Sequence, residues 1–188
     1  IIGIQEEINN YTFDIRDKDR LENVIKEISP NFVFHLAAQP IVREAYINPL
    51  ETWHTNTIGT INLLEALRSL TTKCVAVLIT SDKCYKNVEW IYGYREDDKL
   101  GGSDPYSASK ASAELSISSY FRSYFKYSDK IRICSVRAGN VIGGGDWSPF
   151  RLVPDCMKSW SKNKSVLIRN PDSTRPWQHV LEPLSGYI

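Results

Sequence analysis

Apolar residues recur along this chain with two different periods in turn. Asp19 to Ile28 carries Leu21, Val24, Ile25 and Ile28 at helical spacing, and Pro30 stops that helix. Phe32 to Ala38 (FVFHLAA) is a nearly unbroken apolar run, as expected of a strand buried on both faces of a parallel sheet. Helical spacing returns from Pro49 to Leu70, where Trp53, Ile61, Leu63, Leu64 and Leu67 are apolar. Cys74 to Thr80 (CVAVLIT) reads as a second buried strand, and Val88 to Ser103, rich in Gly and charge, as a surface loop. Ala108 to Phe125 reads as a helix placed just after Pro105, and Ile131 to Val136 alternates as a third strand. Ahead of all these, Tyr11 to Ile15 has the pattern of a short strand. Beyond Gly143-Gly144-Gly145 the pattern loosens. Leu152 to Trp160 is helical, Ser165 to Ile168 a short strand, Arg175 to Val180 a polar-aromatic connection, and Glu182 to Ile188 the first turn of a helix.

Strand and helix alternate, with connections too long for hairpins. That pattern predicts a parallel sheet with crossover helices, a doubly wound α/β fold of Rossmann-like type. In such sheets ligands bind beyond the carboxyl ends of the strands. Ala37 to Gln39, Thr80 to Lys83 and Ala138 to Asn140 all fall at such ends. Residues 1–145 are assigned to a partial nucleotide-binding domain, and 146–188 to part of a substrate-binding region.

Composition narrows the class of partner. The 188 residues are 42% hydrophobic and 24% charged with a formal net charge of +1, so no global field draws the chain to nucleic acid or an anionic membrane. No basic run and no apolar stretch of about 20 residues is present. Cys74, Cys84, Cys134 and Cys156 are scattered without a CxxC pair, which fits reduced thiols in a cytoplasmic protein and no zinc or redox centre. His35, His54 and His179 lack metal-ligand spacing.

The chemistry concentrates in two short stretches, TSDK at Thr80 to Lys83 and YSASK at Tyr106 to Lys110. Tyr106 and Lys110 stand four residues apart and share a helix face, so the ammonium is expected to favour the ionised phenol and make it a general base. The bland reading of such a pair, two surface residues at chance spacing, is serious until context is added.

Context comes from further ordered motifs: DIRD at Asp14 to Asp17, HLAAQ at His35 to Gln39, TNTIGTINLLEA at Thr55 to Ala66, and RAGNVIGGGDW at Arg137 to Trp147. With these the chain resembles the short-chain dehydrogenase/reductase superfamily, in its extended, sugar-nucleotide-modifying branch. SDKCY at Ser81 to Tyr85, GNVIGGGDW at Gly139 to Trp147 and RPWQHVLEPLSGY at Arg175 to Tyr187 make it similar to the CDP-glucose 4,6-dehydratases. Lys83 carries most of that distinction, because related dehydratases have Asp-Glu where this chain has Asp82-Lys83.

The resemblance implies NAD as cofactor and a nucleotide sugar, CDP-glucose, as substrate, dehydrated to the 4-keto-6-deoxy sugar. Carried over by motif, the catalytic set is Ser81, Asp82, Lys83, Tyr106 and Lys110. Tyr106 takes the proton of the sugar 4-hydroxyl, Ser81 hydrogen-bonds that hydroxyl, and Lys110 lowers the phenol's pKa. Lys83 removes the C5 proton, and protonated Asp82 donates to the departing 6-hydroxyl. Asp14, Ile15, Leu36, Ala37, Ala38, Gln39, Asn56 and Thr80, with Tyr106 and Lys110, match cofactor-binding positions. Asn140, Arg151, Leu152, Arg169, Arg175 and His179 match substrate-binding ones, where guanidinium groups suit a diphosphate. The resemblance also implies a homodimeric or homotetrameric parent that works in the cytoplasm on deoxysugars of O-antigen and lipopolysaccharide. An epimerase would share Tyr106 and Lys110 but have no use for an acid at Asp82.

One departure stands out. The family's Gly-rich turn, which holds the cofactor pyrophosphate at a helix N-terminus, is not found ahead of Asp14, and Gly143 to Gly145 come too late to serve. These 188 residues are therefore expected to be a fragment, inactive alone, that exposes apolar sheet surface.

Overall fold

A computed structural model describes residues 7–188. Its central element is a three-stranded parallel sheet in the order β1 (Phe32–His35), β2 (Cys74–Ile79), β3 (Ile131–Val136). The register pairs Val33 with Ala76 and Ala76 with Ile133. Side chains alternate across the sheet, and one face, carrying Val33, Ala76, Leu78 and Ile133, receives the helices.

Helix α1 (Lys18–Ile28) is capped by Asp17, whose carboxylate accepts from the Arg20 N–H, and it buries Leu21, Val24 and Ile25. Two short helices, α2 (Val42–Ile47) and α3 (Pro49–Trp53), follow β1. The helical backbone runs on without a break through a π turn at His54–Ile58 into α4 (Gly59–Arg68). Helix α5 (Pro105–Tyr120) joins β2 to β3 and ends in a second π turn at Phe121–Phe125. Leu21, Ile25, Leu63, Leu64, Leu67, Leu78 and Ile117 close into one core between these helices and the sheet. Beyond β3, β4 (Asn140–Ile142) pairs in parallel with β5 (Trp177–His179), with α6 (Leu152–Trp160) between them in sequence and α7 (Leu181–Tyr187) following.

Several expectations need correction. Tyr11 to Ile15 is not a strand, because its backbone finds no ladder partner among the described residues and turns at Ile15 and Arg16. Ser165 to Ile168 is not a strand either; it is open to solvent, with Leu167 87% exposed. Arg175 to Val180 is more than a connection, since its middle forms β5 on β4, and an apolar period could not reveal so short a pairing. The first strand is shorter than the apolar run and is buried on one face only: Phe32 and Phe34 are 65% and 44% exposed. Helix α5 starts at Pro105 because proline suits the first turn and Asp104 supplies the cap. Helix α2 was not anticipated, since six residues are too few for a period to show.

Candidate active site

Three segments meet at the carboxyl end of the sheet. After β2 the chain makes one tight turn, Asp82–Cys84, entered from an extended Ser81. The Ser81 hydroxyl accepts from the Lys83 N–H at 3.2 Å and donates to Asp82 Oδ1 at 3.1 Å. The Asp82 N–H donates to the Ala138 carbonyl at 3.1 Å, which ties this turn to the end of β3. Helix α5 brings Tyr106 in its first turn. Its phenol lies beside Ser81, and Lys110 follows one turn later. Both are buried, and Lys110, only 6% exposed, has no side-chain hydrogen bond or ion pair among the described residues.

The π turn in the long helix gives Asn56 its place. An inserted residue widens one turn and turns a side chain inward; Asn56 is 1% exposed and fully engaged. Its Oδ1 accepts from the Gln39 N–H at 2.8 Å, and its Nδ2 donates to the Gln39 carbonyl at 3.1 Å and to Ser109 Oγ at 2.9 Å. One amide therefore fastens the loop after β1 to helix α5. The Gln39 side chain is held too, donating to Thr52 Oγ1 at 2.7 Å and accepting from the Ile41 N–H at 2.5 Å. His35, at the end of β1, meets Thr60 Oγ1 at 3.0 Å. Because that hydroxyl donates to the Asn56 carbonyl at 2.7 Å, it accepts from His35, which puts the ring proton on Nε2.

Burial governs the electrostatics. It pulls the Lys110 ammonium down to about 8, against the attraction of Glu114. It holds the His35 imidazole at about 4, aided by the nearby Lys110 charge. It pushes the Tyr106 phenol up, opposed by the adjacent Ser81 hydroxyl and the Arg151 guanidinium. The sequence led to the opposite expectation, a phenol lowered by Lys110. The physical reason for the difference is that the same burial penalises both the phenolate and the ammonium meant to stabilise it.

The remaining candidates are placed unevenly. Leu36 is exposed and Ala37 and Ala38 follow it around the loop, leaving backbone accessible. The Asp14 carboxylate is held down at about 2 by hydrogen bonds from the Arg16 side chain and N–H, so any further donor would compete with Arg16. Ile15 packs against the core at Gly59, where an added Cβ would come within 2.8 Å of the Ile15 side chain. The Thr80 hydroxyl donates to the Glu114 carboxylate. Asn140 lies on β4 and donates its N–H to the Pro176 carbonyl. Arg151, just before α6, has a buried Nε with no hydrogen-bond partner among the described residues; the Asp146 carboxylate lies 3.7 Å from it. Leu152 opens α6 half-exposed. Arg169 reaches the Phe150 carbonyl at 3.4 Å, Arg175 the neighbouring Thr174 carbonyl, and His179 Nδ1 accepts from the Leu181 N–H. These last three stand in solvent. A cleft of about 660 Å3 opens next to the site, lined by Asp82, Tyr85, Arg137, Gly139, Gln178 and Tyr187 among others.

Sequence reasoning gave no role to Glu114, Arg137, Ser109 or Thr60. Glu114 was detectable in principle: it stands four residues after Lys110 and eight after Tyr106, and it is the one acidic residue in α5.

Fold and site together define a Rossmann-type α/β protein of the short-chain dehydrogenase/reductase kind. The chain belongs to the GDP-mannose 4,6-dehydratase family, whose family model matches residues 2–187. It is 51% identical over 192 aligned positions to the CDP-glucose 4,6-dehydratase of Salmonella typhimurium, covering 100% of this chain and 54% of that protein. A GDP-6-deoxy-D-talose 4-dehydrogenase from Aggregatibacter actinomycetemcomitans is 32% identical, with 90% of this chain and 54% of that protein covered. Among solved structures, a UDP-glucose 4-epimerase from Thermus thermophilus in complex with NAD superposes with a TM-score of 0.79 at 26% identity, over 98% of this chain and 61% of that one. A dTDP-glucose 4,6-dehydratase from Streptomyces venezuelae gives a TM-score of 0.82 at 22% identity, over 93% and 52% of the two chains, a likeness of fold. The chain thus spans about half the length of the curated relatives named here.

Proposed function

We propose that the protein to which this chain belongs is an NAD-dependent nucleotide-sugar 4,6-dehydratase that converts CDP-glucose to CDP-4-keto-6-deoxyglucose and water. The observation that carries the reading is a turn offering an acid and an amine, Asp82 and Lys83, directly after the serine that lies beside the Tyr106 phenol. A sugar-oxidising tyrosine alone serves epimerases equally well; the acid and amine are what a dehydration adds. The 51% identity to a CDP-glucose 4,6-dehydratase over the whole chain supports the same choice.

The residues present fit the nicotinamide end of such a cofactor. Lys110 is a buried ammonium with no hydrogen bond of its own among the described residues, and the Leu36 to Ala38 loop leaves backbone open to a close approach. Bound there, NAD would supply the hydride acceptor for C4 and return that hydride to C6. The chain's own groups do the proton work. Tyr106 accepts the proton of the 4-hydroxyl, which Ser81 orients by hydrogen bonding. Lys110 would hold the ribose hydroxyls of that cofactor, and its charge stabilises the phenolate that must form in this desolvated site. The resulting C4 ketone acidifies the C5 proton. Lys83 removes it and gives a proton back to C5 when hydride adds to C6, while Asp82 donates a proton to the 6-hydroxyl so that it leaves as water. Asn140, Arg151, Leu152, Arg169, Arg175 and His179 are assigned to the nucleotide diphosphate. Arg169, Arg175 and His179 stand open to engage a ligand. Residues 1–145 serve the cofactor and 146–188 the sugar nucleotide, in a homodimeric or homotetrameric cytoplasmic enzyme of deoxysugar synthesis.

The test is to incubate the full-length protein and NAD with CDP-, dTDP-, UDP- and GDP-glucose and follow the alkaline absorbance of a 4-keto product. CDP-glucose alone should give it, and Tyr106→Phe should abolish it. A 4-epimer with no loss of water would overturn the reading. In Lys83→Ala, wash-in of solvent hydrogen at C5 should be lost.

A further inference from the structure

Glu114 has no part in the proton transfers above, yet it is among the most heavily bonded side chains described. It is 4% exposed, and its carboxylate accepts four hydrogen bonds from three directions. Arg137 grips it with two, Nε to Oε1 at 2.9 Å and Nη2 to Oε2 at 2.9 Å. Thr80 donates to Oε1, and Ser135 donates to Oε2 at 3.1 Å. The strand period explains the convergence: Thr80 continues the alternation of β2, and Ser135 and Arg137 continue that of β3, so all three project toward the face that α5 covers. Arg137 spends four of its five N–H donors in all. Its Nη1 donates to the Tyr85 hydroxyl at 2.9 Å and to the Glu96 carbonyl at 3.0 Å.

The placement matters because of what each partner adjoins. Thr80 immediately precedes Ser81-Asp82-Lys83, Tyr85 ends the turn they form, and Glu114 lies one helical turn beyond Lys110 and two beyond Tyr106. A bidentate pair between a buried carboxylate and a guanidinium fixes angle as well as distance. We propose that Glu114 and Arg137 are positioning residues: their ion pair sets helix α5, with Tyr106 and Lys110, against the 81–85 turn, and places an anion one helical turn from the Lys110 ammonium. The groups that face Lys110 are Glu114 and Tyr106 on its own helix, Cys84 in the turn after β2, and His35 on β1. Glu114 is the only one of these four that is a full anion at neutral pH. Its charge opposes the burial that pulls Lys110 down, while hydrogen bonds from Arg137 and Thr80 overcome its own burial and keep it ionised.

The kinetic half of the test rests on the dehydratase reading; the titration half does not. In the full-length holoenzyme, Glu114→Gln should lower kcat about 10- to 100-fold with KM within about threefold, as a small misplacement of catalytic groups does. The alkaline limb of its kcat profile should move about one pH unit toward acid, since Lys110 loses its anionic neighbour. Arg137→Lys keeps the charge but not the fork, so it should lower kcat while leaving the limb in place. Glu114→Asp should keep the limb and recover part of kcat. The Lys110 titration, read by NMR from 13C-labelled lysine and assigned with Lys110→Arg, should shift in Glu114→Gln and stay put in Arg137→Lys. The proposal is overturned if Lys110 titrates identically in the wild type and Glu114→Gln, or if folded Arg137→Lys has full kcat. Should Glu114→Gln fail to fold, the kcat of Glu114→Asp and Arg137→Lys decides the positioning role, and the Lys110 titration in Glu114→Asn decides the role of the charge. A wild-type protein that makes no 4-keto sugar would sink the assigned reaction, while the NMR titration would still decide this pair.

Discussion

His35 shows how much a single residue's neighbourhood decides. The chain presents it as a polar interruption in an apolar run, without metal-ligand spacing. The structure gives it a defined state: neutral, proton on Nε2, held at about 4 by burial and by Lys110. An unfolded histidine titrates near its ordinary 6.5. Between those two values the unfolded chain binds a proton that the folded one refuses, so stability rises with pH across that window. The contribution of His35 is complete above pH 6.5 and is lost as the pH falls toward 4. By that shift, about 2–3 kcal/mol should vanish between pH 7 and pH 4.5. His35→Gln, which can still donate to Thr60, should lose correspondingly less over the same interval in urea unfolding. Parallel losses in both proteins would remove His35 as the cause. Tyr106 and Lys110 were legible as a pair because their spacing is local. The direction of the Tyr106 shift was not, because it depends on burial that no spacing encodes.

At the scale of elements, strands and helices with a long apolar period were readable to within a few residues. Those set by pairing or by caps were not. The third strand and α6 coincide with their apolar spans, whereas β4 and β5, three residues each, exist only because they pair with each other. The π turn at His54–Ile58 leaves no mark in the hydrophobic period, yet it turns Asn56 into the fastener between the loop after β1 and helix α5. The start of α5 is set from outside as well. Asp104 caps it through the Ser107 N–H at 3.0 Å, and Gly102 lies so close over it that an added Cβ would come within 2.3 Å of the Ala108 nitrogen. Backbone cannot give way as a flexible side-chain tip can. Gly102→Ala should therefore displace the loop or the first turn of α5 and cost about 1–3 kcal/mol of stability. Its activity should fall with Tyr106 and Lys110 disturbed together. Guanidinium unfolding checks the first outcome and the 4-keto assay the second; an unchanged midpoint would mean the loop yields freely.

Over the whole molecule, helices α1, α4 and α5 cover one face of the sheet, and the other leaves Phe32, Phe34 and Val75 open to solvent. Contiguous exposed apolar surface beside an open strand edge favours association. The 188-residue chain studied alone should therefore self-associate at micromolar concentration. Phe32→Thr with Phe34→Thr, which keeps strand propensity, should lower the mass seen by light scattering. Equal masses would clear that face. The amino-acid sequence by itself determined the α/β class, the order of the main strands and helices, and the residue types gathered at the strand ends, because apolar period and neighbouring spacing are properties of a short stretch. Only the tertiary structure decided that Thr80, Ser135 and Arg137 converge on Glu114, that Lys110 is stripped of water, and that Phe32, Phe34 and Val75 stay open to solvent on the other sheet face. Each of these depends on segments up to several tens of residues apart being brought together, and burial and hydrogen-bond partners come into being only when they meet.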